Sequence, residues 1–326
     1  MSAPIPMIER PRIIGIAGGT GFVGQELIFA LARAGHTIRV LTRASSHGND
    51  LKPLPSVDLA VGDVYNSDFL RRSVDGCDAV INLVGILNER GFNGAGFKRA
   101  HVEFTAAVLR AIAQTRVPRL LHMSALNADA ERGASHYLRS KGEAEKLVAT
   151  APAALDWTIF RPSVIFGPRD SLTNRFAALL RRTAGVLPLA RAAARFAPIY
   201  VGDVVAAFTQ ALRGGATSRQ SYDLCGPEVL TLEQIVRITA QAAHLPCHIY
   251  RLPDTLARVQ AAIMQFLPGK PFSTDNYRSL LTDSVCQRDG AAQLGLTTAS
   301  LSALAPLWLA PTSRAPKSRT LPRPAG

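Results

Sequence analysis

The sequence predicts an α/β fold, a doubly wound parallel sheet followed by a smaller C-terminal region. Two observations support this prediction. In the first half of the 326-residue chain, short β-rich runs alternate with longer helical patterns, as they do in βαβ units. Three glycines, Gly18, Gly21 and Gly24, follow the first apolar run directly. After Pro168 the alternation gives way to helical pieces with short strands, so we place the division there.

The predicted elements follow from apolar periodicity between turn signals. Strands are expected at Arg12–Ala17, Thr37–Thr42, Val57–Val61, Asp78–Val84, Arg119–Ser124 and Trp157–Phe160, with short later strands at Ser221–Leu224 and Cys247–Arg251. Helices are expected at Gly21–Ala34, Ser67–Val74, Phe97–Gln114 and Ser135–Thr150. This order divides the chain into a Rossmann-type domain (11–168), a smaller C-terminal region that shares strands with the core (169–311) and a disordered basic tail (312–326).

The three glycines form a Gly-x-x-Gly-x-x-Gly motif between a strand and a helix. Without Cβ atoms, the first two allow backbone to approach a pyrophosphate, and the third allows the helix to pack closely on the strand. The amides at the helix N-terminus would face the anion. A glycine-rich structural turn is the less favoured alternative, because the apolar strand before the motif and the helical stripe after it are both present.

Composition and cysteine usage predict a soluble chain in the cytoplasm. Apolar residues make up 47% of the sequence, but no run approaches the ~20 residues of a spanning helix, and residues 1–12 lack the apolar core of a signal peptide. The cysteines have neither metal-ligand spacing nor the pattern of a disulfide framework, so we expect reduced thiols and no metal site. They are Cys77, Cys225, Cys247 and Cys286.

The formal charge of +13 is concentrated in two segments. The tail contains basic residues and no acid, and residues 169–195 contain Arg169, Arg175, Arg181, Arg182, Arg191 and Arg195 against Asp170. The second cluster is equally consistent with a solvated face and with a site for an acidic ligand, an acidic partner or an anionic membrane surface. Nucleic acid is not expected, because no aromatic residues alternate with the basic ones.

A proton-transfer set is predicted at the end of the fifth strand. Ser124 ends that strand, and Tyr137 and Lys141 are four residues apart, so they share one face of a helix. An ammonium beside a phenol lowers the pKa of the phenol, and the serine hydroxyl can hold a carbonyl or alcohol oxygen. Combined with the glycine motif, these residues predict catalysis rather than an ordinary surface.

The glycine motif with Ser124 and Tyr137-x-x-x-Lys141 resembles the extended or atypical branch of the short-chain dehydrogenase/reductase superfamily. In that family an asparagine completes the proton relay, and its position falls around His101. The resemblance implies that Asp63 meets the adenine, that 82–85 lies under the cofactor and that 161–168 borders the nicotinamide. From the residues alone, Asp63 could equally cap a helix and Pro162 could shape a turn. The predicted cofactor-binding set is Gly18, Thr20, Gly21, Phe22, Val23, Gly24, Arg43, Asp63, Val64, Leu83, Val84, Gly85, Tyr137, Lys141, Pro162 and Val164.

The end of the second strand predicts which dinucleotide is bound. It reads Val40-Leu41-Thr42-Arg43, with no acid to hold a ribose 2′-hydroxyl. Arg43 can pair with a 2′-phosphate through charge-assisted hydrogen bonds. NADP(H) is therefore favoured, with NAD(H) as the alternative.

A narrower resemblance covers nearly the whole chain except its ends. Segments such as 222–232, 267–276 and 282–285 are similar to the nucleotide-binding accessory subunit of respiratory complex I and its bacterial relatives. That resemblance implies two functions: an NADPH-dependent oxidoreductase of quinone or respiratory metabolism, or a non-catalytic nucleotide-binding structural or assembly factor of such a membrane complex. It also implies a peripheral position at the inner membrane. The apolar stretch 256–267 is expected to be a core helix rather than a membrane contact.

Overall fold

A seven-stranded parallel sheet forms the centre of the molecule. The computed structural model describes residues 11–267 and 270–311, so the predicted tail lies outside the described residues. Across the sheet the strands are β11 (Gln220–Leu224), β6 (Asp156–Pro162), β5 (Arg119–Met123), β4 (Ala79–Asn82), β1 (Ile13–Ala17), β2 (Thr37–Thr42) and β3 (Val57–Val61). The predicted doubly wound fold is confirmed, and the predicted strands in this sheet differ from those observed by no more than a few residues at their ends.

Helices cover both faces of this sheet. Those of the first half are α1 (Phe22–Arg33), α2 (Ser67–Val74), α3 (Ala95–Phe97), a π-helical turn (Lys98–Glu103), α4 (Phe104–Thr115) and α5 (His136–Ala149). One buried cluster joins α1 to the sheet through Leu27, Ile28 and Leu31, and another joins α2 and α4 to the opposite face through Leu70 and Phe104. The predicted helix Phe97–Gln114 contains the π-helical turn, which apolar periodicity does not reveal.

The C-terminal region adds short strands and helices and returns one strand, β11, to the edge of the main sheet. Its strand pairs are β7 (Ile165–Phe166) with β10 (Ile199–Tyr200), β9 (Arg195–Phe196) with β12 (Leu230–Thr231), and β8 (Val186–Leu189) with β13 (His248–Arg251). Its helices are α6 (Thr173–Arg182), α7 (Val201–Ala211), α8 (Leu232–Ala242), α9 (Asp254–Met264), α10 (Thr274–Ser279), α11 (Gly290–Gln293), α12 (Leu301–Leu304) and α13 (Pro306–Leu309). The predicted strands Ser221–Leu224 and Cys247–Arg251 correspond to β11 and β13. Strands of two residues are too short to carry a periodic pattern, and they were not predicted.

Two of the cysteines are paired, so the prediction of four reduced thiols is wrong for them. Cys225 and Cys286 form a disulfide across 61 residues of sequence, while Cys77 and Cys247 are free. The backbone around Ser284 brings them together, because Ser284 bonds Arg195 and Ala197. Such long-range contacts leave no pattern in cysteine spacing.

The prediction that α9 is a core helix is wrong for its large apolar residues. Its small residues Ala257 and Ala261 are fully buried, whereas Leu256, Val259 and Ile263 are exposed. Both sets have helical spacing, and the burial pattern shows that the alanines form the inward face. Within residues 11–267 and 270–311, no helix combines the length and hydropathy needed to cross a bilayer.

Candidate functional site

The three glycines of the first turn have different structural requirements. Gly18 has φ +80°, and a Cβ there would lie 2.9 Å from the carbonyl carbon of Leu83. A Cβ on Gly24 would lie 2.4 Å from the Gly18 carbonyl oxygen. Gly21 is exposed, and a Cβ there would meet only the Gly18 oxygen at 3.2 Å. The fold thus requires Gly18 and Gly24, while the space in front of Gly21 and the N-terminus of α1 fits an anionic ligand.

This turn lies at the point where the winding of the sheet reverses. β1 pairs with β2 on one side and with β4 on the other. Asn82, the last residue of β4, accepts a hydrogen bond from the amide of Val84 at 3.1 Å and donates one to Thr105 at 3.1 Å. These bonds shape the turn through Leu83 and Val84 to the exposed Gly85. In doubly wound folds this crevice is where dinucleotides bind.

The remaining residues of the predicted cofactor set are distributed around the same edge of the sheet. Arg43 is exposed directly after β2, and the amide of Gly62 bonds the Thr42 carbonyl, so Asp63 follows the neighbouring strand end. Asp63 accepts a hydrogen bond from the Tyr65 amide at 2.9 Å, which gives it a local role in that turn.

Several other residues of the predicted cofactor-binding set are held in place by packing and backbone hydrogen bonds. Val23 and Leu83 pack against one core cluster, and Val64 and Val84 against the other. Pro162 ends β6, and the Val164 carbonyl accepts a hydrogen bond from Ile199. The position of a nucleotide against these residues stays a prediction.

Helix α5 carries Tyr137 and Lys141, and its N-terminus is capped twice. Ser135 accepts a hydrogen bond from the Leu138 amide at 3.1 Å. Asp275 of α10 accepts hydrogen bonds from the amides of His136 at 2.7 Å and of Tyr137 at 3.2 Å. A carboxylate at a helix N-terminus also complements the helix dipole. The C-terminal region therefore helps to position the predicted catalytic helix. The sequence did not predict this contribution.

The ammonium of Lys141 lies at the end of β5, the strand that Ser124 follows directly. Its Nζ donates to the carbonyl of Met123 at 3.1 Å and to that of Val84 at 3.3 Å. Ser124 is 3% exposed, and its hydroxyl has no hydrogen-bond partner among the residues that the structure describes. Because a buried hydroxyl without a partner is costly, this oxygen indicates a position that a ligand atom can satisfy.

Burial lowers the pKa of Lys141 to about 8, and the Glu145 carboxylate acts in the opposite direction. Glu145 is itself held by Arg161 of β6, whose Nε lies 2.9 Å from both carboxylate oxygens. The charge of the lysine is thus balanced one helical turn away.

Tyr137 does not show the lowered pKa that its spacing from Lys141 predicted. Burial raises the pKa of Tyr137 to about 12, so the predicted direction is wrong in this structure. The phenol ring lies edge-on to the rings of Phe97 and His101, with centroid distances of 6.0 and 5.6 Å. The Lys141 ammonium is directed instead toward the carbonyls of Met123 and Val84. Desolvation by these surroundings therefore decides the pKa, and Tyr137 keeps its proton at neutral pH.

His101 occupies the position that the family resemblance assigns to an asparagine. Its Nε2 accepts a hydrogen bond from the Ile86 amide at 3.1 Å, so Nδ1 carries the proton and donates to the Ser140 hydroxyl at 2.8 Å. That hydroxyl donates to the Tyr137 carbonyl at 2.8 Å. Burial, with Lys141 and His122 nearby, lowers the pKa of His101 to about 2. His101 is therefore a neutral residue that joins the loop after β4 to helix α5.

A small cavity of about 20 Å³ lies beside the predicted catalytic residues rather than between them. Its lining includes His136, next to Tyr137, and Phe97, whose ring contacts that of Tyr137. Phe92 and Lys270 line it on the side of the C-terminal region. A cavity of this volume has room for about one water molecule, so it does not by itself define a substrate site.

Comparison with known proteins agrees with this geometry. An NAD(P)H-binding family model matches residues 18–179. Subunit 9 of the 1 alpha subcomplex of mitochondrial NADH dehydrogenase (ubiquinone) from Arabidopsis thaliana is 29% identical over 298 residues, 85% of this chain and 72% of that one. Ceramide reductase from Caulobacter vibrioides is 30% identical over 243 residues, 74% of each chain. A UDP-glucose 4-epimerase structure from Thermotoga maritima has a TM-score of 0.71 at 16% identity, covering 91% of this chain and 97% of the other, and so supports the fold.

The chain therefore belongs to the extended or atypical branch of the short-chain dehydrogenase/reductase superfamily and contains an NAD(P)H-binding domain. Within that superfamily it resembles the nucleotide-binding accessory subunit of respiratory complex I, as its motifs predicted.

Proposed function

We propose that this chain is an NADPH-dependent oxidoreductase that reduces a carbonyl compound of quinone or respiratory metabolism. The observation that carries the proposal is the buried Ser124 hydroxyl, which has no partner among the described residues. Ser124 directly follows Met123, whose carbonyl accepts a hydrogen bond from the Lys141 ammonium. When bound, the nicotinamide would supply the hydride. Ser124 would donate a hydrogen bond to the substrate oxygen, and Tyr137 would give that oxygen a proton. Lys141 would hold the nicotinamide ribose.

The protonation of Tyr137 favours reduction over oxidation. Carbonyl reduction needs a proton donor at the oxygen, and a phenol with a pKa of about 12 is protonated at neutral pH. The Ser124 hydroxyl can orient the same oxygen without changing its own charge. The neutral His101 adds no competing charge beside them. NAD(P)H oxidation with quinones and with hydrophobic ketones, followed by absorbance, tests this proposal directly.

Lys141 gives the proposed reaction a pH dependence. Because burial lowers the pKa of this lysine to about 8, its charge is present below that pH and is lost as the pH rises through it. We expect kcat/KM for carbonyl reduction to fall above pH 8, approaching about tenfold per pH unit. Lys141→Arg, whose guanidinium stays charged, should move the fall to higher pH even where activity is reduced. If the fall stays at the same pH in that variant, it belongs to another group.

Arg43 supports NADPH over NADH as the cofactor, with NADH as the alternative. Its guanidinium is exposed at the end of β2 and makes no ion pair with the residues that the structure describes. It can therefore reach a 2′-phosphate without losing an existing bond. We expect NADPH to bind more tightly than NADH, and Arg43→Ala to remove that preference. The loss of a charge-assisted bond, about 1.5–3 kcal/mol, corresponds to roughly ten- to a hundredfold in affinity.

Calorimetric titration with both nucleotides measures this preference. Arg39, which lies on β2 itself, bonds the backbone carbonyls of Ser73 and Asp75 and is paired with Asp58, so Arg39→Ala serves as a charge-matched control. It should leave the ratio of the two affinities unchanged. Equal affinities of the unmodified chain for NADPH and NADH would rule out the proposed preference.

A non-catalytic role is the second candidate, because the match to a complex I accessory subunit extends over 85% of the chain. In that role the chain would be a structural or assembly factor of a respiratory or quinone-synthesis complex, peripheral to the inner membrane, with bound nucleotide stabilising its fold. Binding of a ligand to the native state stabilises it whether or not chemistry follows. The nucleotide that co-purifies with the chain, and its redox state, tests the binding shared by both candidates.

A further inference from the structure

Helix α9 presents its large apolar side chains to solvent. Leu256, Val259 and Ile263 are 53, 53 and 61% exposed, and Phe266 and Leu267, just beyond the helix, are 72 and 48% exposed. The inward face consists of Ala257 and Ala261, which are fully buried. A helix of a folded domain usually buries its large apolar residues, so this reversed pattern indicates a face that something else covers.

The same surface continues onto the loop after β4. Phe92 is 55% exposed, and the centroid of its ring lies 5.3 Å from the centroid of the Phe266 ring. Lys270 ties the two segments together, since its Nζ donates to the carbonyls of Glu89, Arg90 and Gly91 at 2.7, 3.1 and 3.0 Å. We define the α9 patch as Leu256, Val259, Ile263, Phe266, Leu267 and Phe92.

The charges near the patch are basic. Residues 255–274 contain Arg258 and Lys270 and no acid. Asp254, which precedes them, is paired with Arg258 at 2.9 Å and Arg191 at 3.6 Å. Glu89 is buried, and its oxygens accept hydrogen bonds from the amides of Gly94 and Gly96. Asp275, the next acid, accepts hydrogen bonds from the amides of His136 and Tyr137. Arg191, Arg258 and Lys270 together outnumber Asp254, so the border of the apolar surface carries a net positive charge.

We propose that the α9 patch binds the surface of an anionic lipid bilayer, with its apolar side chains among the upper acyl chains and its basic border against the phosphates. This combination of aliphatic and aromatic residues with flanking cations is typical of interfacial membrane contacts. A second copy of the chain fits less well, because two molecules of charge +13 would repel each other. The inference names the surface and the lipid class for the peripheral membrane position of the second candidate function, on which it rests, and it does not depend on catalysis.

Co-sedimentation of the full-length chain with phosphatidylcholine vesicles, with and without phosphatidylglycerol, tests the proposal. The unmodified chain should sediment with the anionic vesicles and should be released by high salt. Ile263→Glu, which places a carboxylate in the middle of the patch, should lower the partition coefficient at least about tenfold, because a charged side chain is costly below the headgroups. Leu307→Glu is the matched control: Leu307 is 78% exposed on α13, outside the patch, and its variant should partition like the unmodified chain.

The outcomes are distinct. The proposal is overturned if the unmodified chain does not bind anionic vesicles, if Ile263→Glu binds them as well as the unmodified chain does, or if Leu307→Glu is equally impaired. A patch-dependent dimer in analytical ultracentrifugation without vesicle binding would also overturn it, in favour of a second copy. NADPH titration of Ile263→Glu checks that the variant is folded. A failure of the unmodified chain to bind NADPH would contradict the proposed function alone.

Discussion

Tyr137→Phe is expected to reduce carbonyl turnover by about two to four orders of magnitude while leaving NADPH affinity nearly unchanged. The substitution removes one hydroxyl and keeps the ring that contacts Phe97 and His101 edge-on. Positioned acid–base catalysis typically contributes about a hundred- to ten-thousandfold, which sets the magnitude of the loss. Steady-state rates and calorimetric binding, measured on the same preparation, separate the two quantities.

Tyr250→Phe is the matched control for this substitution. Tyr250 is 63% exposed on β13, so removing its hydroxyl should leave both turnover and binding unaffected. If Tyr137→Phe turned over as fast as the unmodified chain, Tyr137 would not be the proton donor.

The same variant separates the two candidate functions in cells. If the chain is a reductase, strains with Tyr137→Phe should lose the respiratory activity or quinone content that depends on it. If it is a structural nucleotide carrier, those strains should behave normally, and only variants that cannot bind nucleotide should fail. Respiration and quinone content at matched protein levels give the comparison. A defect in the nucleotide-binding variant alone would argue against catalysis.

Gly21→Val is expected to abolish detectable NADPH binding, a loss of at least about a hundredfold, without unfolding the chain. Gly21 has φ −79° and ψ 176°, a conformation that valine adopts readily, and a Cβ there would meet only one protein atom, at 3.2 Å. The branched side chain would instead occupy the space in front of the helix N-terminus, where the pyrophosphate is expected. Calorimetry and thermal unfolding test the two parts of this prediction separately.

Two other glycine variants are controls for the effect of Gly21→Val on NADPH binding. Gly21→Ala should weaken binding less, since it adds a single methyl group. Gly24→Val should damage the fold itself, because its Cβ would lie 2.4 Å from the Gly18 oxygen and 2.6 Å from the Gly19 Cα. Normal NADPH binding by Gly21→Val would show that this loop is not the nucleotide site.

The sequence was sufficient to predict the sheet and the placement of Lys141 at the end of β5. The period of the apolar residues defines βαβ units, and in such a fold the strand ends share one edge, so Ser124 had to lie near the glycine loop. The four-residue spacing of Tyr137 and Lys141 fixed their common face. These inferences depend on local periodicity and on a regular topology, which sequence retains.

Other features depend on contacts between distant segments. The carboxylate of Asp275 at the N-terminus of α5 comes from a residue far along the chain, and the disulfide of Cys225 and Cys286 depends on the same region. The pKa of Tyr137 follows from the desolvation of its phenol beside the rings of Phe97 and His101, which spacing from Lys141 does not determine. The outward direction of Ile263 was also hidden, because the apolar stripe and the alanine face of α9 have the same period.

The position of β11 limits how the chain can be divided or recombined. The strand comes from the C-terminal region, yet it completes the main sheet by pairing along β6 from Gln220–Thr158 to Leu224–Pro162. A chimera joined at residue 168 with an unrelated C-terminal region would leave β6 as an open sheet edge, which invites aggregation. Arg161 on β6 would also lose Asp223, 3.8 Å away on β11. Exchange of substrate specificity between relatives must therefore carry the edge strand with it, so the transferable module is defined by sheet pairing rather than by the order of the sequence.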